Sequence, residues 1–142
     1  MRGLKGKVAI VPGGVTKIGQ AVVAAFAEAG VRVVVADIAD APAAMLSDDV
    51  IYQRCNLRSD DEIAALVRVT REKFGRIDFL VNVACSYLDK GVESSRAEWL
   101  EALDINLVGS TVLMRAALEE LKKTKGAIVN FGSISARVAQ TG

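Results

Sequence analysis

A chain of 142 residues is long enough for one folded domain with a buried core and is short for two. Its 18 basic and 17 acidic residues give a net charge of +1, which indicates neither a nucleic-acid-binding surface nor an acidic tail. With no histidine and only two widely separated cysteines, Cys55 and Cys85, the usual zinc ligands are missing. No apolar run is long enough for a signal peptide or a membrane span, so we expect a cytoplasmic protein without membrane or nucleic-acid partners.

Short runs of β-branched residues alternate along the chain with longer helical patterns, which is typical of βαβ units and a parallel sheet. The second run is almost continuous in valine, as expected for a central strand covered on both faces. We predict five strands, at residues 7–11, 32–37, 51–55, 77–83 and 127–131. The predicted fold is α/β, a Rossmann-like doubly wound sheet in the order 3-2-1-4-5 with helices on both faces, forming a single domain over residues 1–142.

Three helices are predicted between these strands. The first covers residues 18–29, and the second covers residues 60–74, with Ser59 as its N-cap and Gly75 at its end. The third is the longest, at 96–122, and residues 39–48 hold at most a short helix. The apolar stripe of the third helix comprises Trp99, Leu100, Leu103, Leu107, Leu113 and Ala117.

A glycine-rich turn joins the first strand to the first helix, and it reads Pro12-Gly13-Gly14-Val15-Thr16-Lys17-Ile18-Gly19. Residues without Cβ let the backbone turn tightly and approach a pyrophosphate, whose charge the N–H groups at the start of the next helix can bind. A purely structural turn uses glycine equally well, so the turn alone leaves both interpretations open.

Asp37 favours the cofactor interpretation. It ends the second strand, 18 residues beyond Gly19, where a carboxylate can accept hydrogen bonds from both hydroxyls of an adenosine ribose. The alternative is an aspartate that only caps the end of a strand. Spacing and strand context together favour ribose binding.

In these features the chain resembles the classical short-chain dehydrogenases/reductases, and further landmarks of that family follow in order. Asn56-Leu57 is similar to the pair that flanks adenine, and Asn82-Val83-Ala84-Cys85 is similar to the Asn-Asn-Ala-Gly motif after the fourth strand. Asn106 matches an asparagine that holds a water of the proton relay, and Ser133 matches the catalytic serine. The resemblance implies the catalytic residues Ser133 and Asn106 and the cofactor-binding residues Gly13, Gly14, Thr16, Lys17, Ile18, Gly19, Asp37, Asn56, Leu57, Asn82 and Ala84.

The resemblance also implies an oxidoreductase that interconverts a small secondary alcohol and a ketone by hydride transfer, and that assembles as a homodimer or homotetramer. We expect NAD as the cofactor rather than NADP, because Asp37 would repel a 2′-phosphate. The basic side chain of Lys17 weakens this preference.

Three residues depart from the family pattern. Pro12 lacks the N–H and the hydroxyl of the family's threonine, so a local hydrogen bond is lost or replaced. Lys17 replaces a glycine, and its Cβ would crowd the turn if φ were positive; its ammonium group either meets a phosphate or points to solvent. Cys85 also replaces a glycine. Without histidine no Cys-His pair is possible, so we expect both cysteines to be reduced thiols beside strands, acting as small apolar residues rather than as nucleophiles.

Ser133 and Asn106 each have a simpler explanation. A serine after a strand often caps a turn or a helix, and an asparagine within a helix can bond to the carbonyl four residues earlier. Position within the family pattern favours the catalytic interpretation of both.

The family's proton donor, the tyrosine of a Tyr-x-x-x-Lys motif, would fall a few residues beyond Gly142. Tyr87 is followed by lysine at Lys90, which is the wrong spacing, and it is not a substitute. We therefore expect these residues to be the N-terminal part of a longer domain and to be inactive alone, with the fifth strand an exposed edge. The rival interpretation is a catalytically silent dinucleotide-binding or interaction module.

Overall fold

The computed structural model describes residues 3–87, 90–134 and 137–138. Its centre is a parallel sheet with the strand order β3-β2-β1-β4-β5, which confirms the order predicted from the sequence. Each strand end lies within two residues of its predicted position. The strands are β1 (Val8–Pro12), β2 (Arg32–Asp37), β3 (Val50–Arg54), β4 (Phe79–Asn82) and β5 (Ala127–Asn130).

The helices are α1 (Lys17–Glu28), α2 (Asp60–Phe74), α3 (Arg96–Leu103) and α4 (Ser110–Thr124). As predicted, the Ser59 hydroxyl caps α2 by accepting the N–H of Glu62, and Gly75 ends it with a φ of 74°. Short 3-10 turns lie at Ala43–Met45 and Gly91–Glu93. Within the described part of the chain, no helix has the length and apolar character needed to cross a membrane.

The prediction of one continuous helix at 96–122 was wrong in one respect, because a π-helical segment (Asp104–Gly109) separates α3 from α4. The hydroxyls of Ser110 and Thr111 donate to the Leu107 carbonyl at 3.0 and 2.7 Å and so compete with the regular helical hydrogen bonds. Gly109 also packs so closely on Leu57 that a Cβ at Gly109 would overlap the Leu57 carbonyl oxygen. The π-helical segment, whose turns are wider than those of an α-helix, therefore lies where the chain packs against the loop after β3.

The predicted apolar stripe divides at the π-helical segment. Leu113 and Ala117 of α4 are fully buried, as expected. The remaining four residues of the stripe, on α3 and on the π-helical segment, are between 44% and 59% exposed: Trp99, Leu100, Leu103 and Leu107.

The core lies on both faces of the sheet, because alternate residues of a strand point to opposite sides. Val8 and Ile10 of β1 pack in one cluster with residues of α2 and α4. Ala9 and Val11 pack in a second cluster that includes Val23 of α1. Helices therefore cover both faces, as predicted, whereas the residues of β5 are exposed at the edge of the sheet.

A buried carboxylate joins β1 and β4 at the amino ends of the strands. Asp78 is 1% exposed and accepts hydrogen bonds from Arg76 Nε and Nη2 at 2.7 and 2.6 Å, from the Val8 N–H at 3.0 Å and from Lys7 Nζ at 3.1 Å. Burial alone would raise the pKa of Asp78, but the hydrogen bonds from Arg76, Val8 and Lys7 outweigh it and the pKa is lowered. Ionised Asp78 therefore stabilises the fold.

We expect Asp78→Asn to lower the free energy of unfolding by about 3 kcal/mol at neutral pH, because two cations lose the carboxylate that they contact. The folded-state pKa lies below the ordinary aspartate value of about 4, so this stabilisation is present above that value and is lost as the pH falls through the folded-state pKa. Urea unfolding across the acidic range should show a shallower loss of stability in Asp78→Asn than in the wild type. The exposed Asp48→Asn is the control, and an equal change in both variants would contradict the assignment.

Candidate cofactor-binding site

The glycine turn after β1 is packed too tightly for side chains. Gly13 has a φ of +76°, and a Cβ added there would lie 2.5 Å from the backbone nitrogen of Ala84 in the loop after β4. A Cβ at Gly19, in the first turn of α1, would overlap the carbonyl oxygen of Gly13. Glycine at these positions therefore brings α1, the turn and the loop after β4 into backbone contact.

The N-terminus of α1 can bind an anion. Thr16 is the N-cap, and its hydroxyl accepts the Gly19 N–H at 3.1 Å and donates to the Gly13 carbonyl at 2.7 Å. The backbone N–H groups of Lys17 and Ile18 have no hydrogen-bond acceptor among the described residues, and the first turn of α1 contains no acidic residue. Free N–H groups at the positive end of the helix dipole suit a phosphate.

Asp37 lies at the carboxyl end of β2, beside this turn. Its Oδ2 accepts the N–H of Val15 at 3.1 Å, and its Oδ1 accepts the N–H of Ala39 at 3.2 Å. Each carboxylate oxygen can accept about two hydrogen bonds, so both retain capacity for a further donor. The carboxylate is thus positioned by the backbone and can still bind hydroxyl groups.

A cavity of about 230 Å³ opens at the carboxyl ends of β1, β2, β3 and β4. Among the described residues that line it, Asp37 is the only charged one. The lining residues are Pro12, Gly13, Thr16, Ala36, Asp37, Ile38, Cys55, Asn56, Leu57, Ala84, Cys85, Ser86 and Ile105. The carboxyl edge of an open parallel sheet is the usual place for a ligand.

The loop after β3 is held by its own polar groups. Asn56 donates its N–H to Glu62 Oε2 at 2.8 Å, and its Oδ1 accepts the Arg58 N–H at 3.0 Å. The Leu57 side chain is 8% exposed and lines the cavity. Both residues predicted to contact adenine therefore border the cavity on a well-fixed loop.

Comparison with known proteins decides the family. A family model described as enoyl-(acyl carrier protein) reductase matches residues 14–142. Similar proteins include an L-fucose dehydrogenase from Bos taurus, with 31% identity over 96% of this chain and 52% of that protein. They also include zerumbone synthase from Zingiber zerumbet, with 33% identity over 98% of this chain and 56% of that protein. The chain belongs to the short-chain dehydrogenase/reductase family.

Solved structures agree with this membership. The crystal structure of gox2181 is similar with a TM-score of 0.84 and 32% identity, over 97% of this chain and 58% of that one. The Cj0485 dehydrogenase is similar with a TM-score of 0.89 and 25% identity, over 97% of this chain and 55% of that one. The chain thus spans about half the length of the short-chain dehydrogenases/reductases that it matches.

Six of the eleven residues predicted to bind the cofactor line the cavity: Gly13, Thr16, Asp37, Asn56, Leu57 and Ala84. Lys17 and Ile18 lie beside it in the exposed first turn of α1, whereas Gly14 and Gly19 are buried in the packing of the turn. Asn82 lies deeper, with 7% exposure, and its Nδ2 donates to Asn130 Oδ1 of the next strand at 2.7 Å. Its Oδ1 is buried without a partner among the described residues.

Two departures from the family pattern are accommodated without strain. Pro12 ends β1 and accepts the N–H of Val83 through its carbonyl, while the following N–H, that of Gly13, donates to the Ala36 carbonyl at 2.8 Å. Lys17 is the first residue of α1, and among the described non-glycine residues only Lys125 has a positive φ. The Cβ of Lys17 therefore does not crowd the turn.

The two cysteines differ in environment. Cys55 is 3% exposed, and burial, with a contribution from Glu62, raises its pKa to about 11, so it stays a protonated thiol. Cys85 is exposed at the rim of the cavity, so the expectation that it acts as a small apolar residue beside a strand was wrong. Cys85 follows β4 by three residues, and the chain has already left the core there.

Asn106 and Ser133 lie outside the cavity lining. The Asn106 side chain does not bond within its own helix. Its Oδ1 accepts the N–H of Ser86 at 2.6 Å, and its Nδ2 donates to the Ser86 carbonyl at 2.9 Å, which fixes the loop after β4 on the π-helical segment. Ser133 is exposed, three residues after β5.

Tyr87 remains excluded as a proton donor. The side chain is 87% exposed, and its pKa is raised by the negative charge of a nearby Cys85 thiolate and by a hydrogen bond in which the Tyr87 hydroxyl donates to the Cys85 sulfur. A catalytic phenol needs the opposite shift. The spacer residues of the sequence Tyr87-Leu88-Asp89-Lys90 fall outside the described residues.

Sequence reasoning missed several cavity residues. Ile38 and Cys55 directly follow β2 and β3, and a rule that residues after parallel strands meet at one edge would have found them. Ser86 lies in the loop after β4 that Asn106 holds, and Ile105 lies beside Asn106 on the π-helical segment; no local sequence pattern predicts that these two elements meet at the cavity.

The close contact at Gly13 can be measured against a matched glycine. Gly75 has nearly the same positive φ, 74° against 76°, but a Cβ there meets nothing within 4 Å. We expect Gly75→Ala to lower the free energy of unfolding by about 1 kcal/mol through backbone strain alone. Gly13→Ala should cost about 3 kcal/mol more in urea unfolding, because its Cβ meets the Ala84 backbone. Equal losses would show that the contact is unimportant.

Proposed function

We propose that this chain is a single dinucleotide-binding domain of an NAD-dependent oxidoreductase that interconverts a secondary alcohol and a ketone. One observation carries the proposal. The cavity at the carboxyl edge of the sheet combines a glycine turn that tolerates no Cβ, a helix start with free N–H groups, and Asp37 as the only charged residue among its described lining. Family membership supports a nicotinamide cofactor in general.

Each part of the site has a distinct task in this proposal. Gly13, Gly14 and Gly19 allow the backbone to approach a pyrophosphate, and the N–H groups of Lys17 and Ile18 bind its charge. Thr16 holds the turn, and Asp37 accepts the ribose hydroxyls. The remaining contacts would come from Asn56 and Leu57 to adenine and from Asn82 and Ala84 to the second ribose.

The choice of NAD follows from charge. A 2′-phosphate beside Asp37 would meet a carboxylate with no cation among the described cavity-lining residues to offset it. Lys17 is exposed outside this lining and has no ion-pair partner among the described residues. The local charge therefore favours a free ribose.

We expect Asp37→Asn to weaken NAD binding about tenfold, because charge-assisted hydrogen bonds to the ribose become neutral ones. Binding of NADP should improve, since the repulsion disappears. Isothermal titration of both dinucleotides measures the two changes, with the exposed Asp40→Asn as the matched control. Tighter binding of NADP than of NAD by the wild-type chain would refute the choice.

Fewer residues are assigned to the reaction than to cofactor binding. When bound, the nicotinamide would supply or accept the hydride. Ser133 would donate a hydrogen bond to the substrate oxygen as negative charge develops there, and Asn106 would hold a water of the proton relay. Of the chain's two tyrosines, Tyr52 has its hydroxyl bound to backbone carbonyls and Tyr87 is exposed, so neither is a positioned acid.

We therefore expect the 142-residue chain, verified by intact mass, to bind NAD without turning over secondary alcohols or ketones. General acid–base catalysis alone is worth about 10²- to 10⁴-fold in rate, so its loss should leave turnover below detection. Following NADH absorbance over a panel of substrates tests this. Turnover well above the rate without protein would overturn the expectation.

We also propose that the chain assembles as a homodimer or homotetramer. The exposed apolar side chains of α3 and the π-helical segment, among them Trp99, Leu100 and Leu107, support this proposal. Such residues lose contact with water in an interface between copies.

A further inference from the structure

Tyr52 bridges two backbone carbonyls next to Asp37. It lies in β3, where it pairs with Val35 of β2, and its hydroxyl is 3.1 Å from the Asp37 carbonyl oxygen and 3.0 Å from that of Ala39. Burial, with nearby Asp40 and Asp37, raises the pKa of Tyr52, so the hydroxyl keeps its proton. That single proton is shared between the two carbonyls on either side of Ile38.

Ala39 is consequently bound through both of its backbone groups. Its carbonyl accepts from Tyr52, and its N–H donates to Asp37 Oδ1 at 3.2 Å. Asp37 Oδ2 accepts the N–H of Val15 in the glycine turn at 3.1 Å. One hydroxyl in β3 thus supports one of the two backbone contacts that orient the Asp37 carboxylate.

We propose that Tyr52 is a positioning residue that sets the preference for NAD over NADP by fixing the Asp37–Ala39 segment. The inference rests on the proposed function, because it assumes that Asp37 binds the ribose. A carboxylate held in one orientation accepts the ribose hydroxyls well and meets a 2′-phosphate at close range. A carboxylate that can turn away binds the ribose hydroxyls less well and repels a 2′-phosphate less strongly.

Tyr52 can act on the preference only through this segment. Its side chain is absent from the described cavity lining, where we propose that the ribose binds. Its ring packs against the core cluster that contains Val33 and Val35. Tyr52→Phe therefore keeps the ring and its packing and removes only the shared hydrogen bond.

The test is the ratio of the NADP and NAD dissociation constants, measured by isothermal titration in the wild type and in Tyr52→Phe. We expect the preference for NAD to fall about fivefold, the effect of losing one ordinary hydrogen bond. In an Asp37→Asn background, Tyr52→Phe should leave the ratio unchanged, because the carboxylate through which it acts is gone. Tyr87→Phe, the same chemical change at the other tyrosine, is the matched control and should leave the ratio unchanged.

A second measurement needs no cofactor. Amide hydrogen exchange at Ala39 should speed up several-fold in Tyr52→Phe, while exchange within β2 stays at the wild-type rate. A merely structural role would raise both dissociation constants equally and speed exchange across the sheet, and this outcome would overturn the inference. So would an equal effect of Tyr52→Phe in the Asp37→Asn background. Failure of the wild-type chain to bind either dinucleotide would overturn the proposed function, and the inference with it; an unchanged ratio with intact binding would overturn the inference alone.

Discussion

The whole site depends on a contact between two stretches of backbone. The turn after β1 and the loop after β4 approach until no side chain fits between Gly13 and Ala84, and α1 approaches the same turn at Gly19. This approach sets where α1 begins, and hence where its free N–H groups lie. It also places Val15 within hydrogen-bonding distance of Asp37, so the end of β2 is oriented by the turn after β1. The close backbone contact thereby positions the start of α1, which we propose binds a pyrophosphate, relative to the Asp37 carboxylate, which we propose binds a ribose.

Two carboxylates at opposite ends of the strands show how similar groups acquire different tasks. Asp78, at the amino end of β4, is buried and surrounded by Lys7 and Arg76, so its charge is already compensated within the protein. Asp37, at the carboxyl end of β2, is oriented by backbone N–H groups alone and borders a cavity. The first stabilises the fold, whereas the second keeps its charge available for a ligand.

The fold was largely predictable because its signals are local. The valines at 31 and 33–35 are buried on both faces of the sheet, so this run could be recognised as a strand, and Ser59 and Gly75 cap α2 as their types indicate. The site was predictable in part, since Asp37 and Gly13 are found by spacing. The π-helical segment was not, because Gly109 meets Leu57, about a third of the chain away in sequence, and no local pattern shows this contact. The path of Ser86 and the network of Tyr52 depend on similar long-range contacts.

The π-helical segment also constrains how many residues can lie between α3 and α4. A regular α-helix turns by about 100° for each residue, and a π-helical turn holds about one residue more. One residue more or less in the segment at Asp104–Gly109 would turn α4, whose Leu113 and Ala117 are buried against the sheet, by about 100° relative to α3. Deletion of one residue from this segment would rotate α4 about its axis and turn its buried side toward solvent. The core on this side of the sheet thus constrains the number of residues between α3 and α4, in addition to the glycine at Gly109.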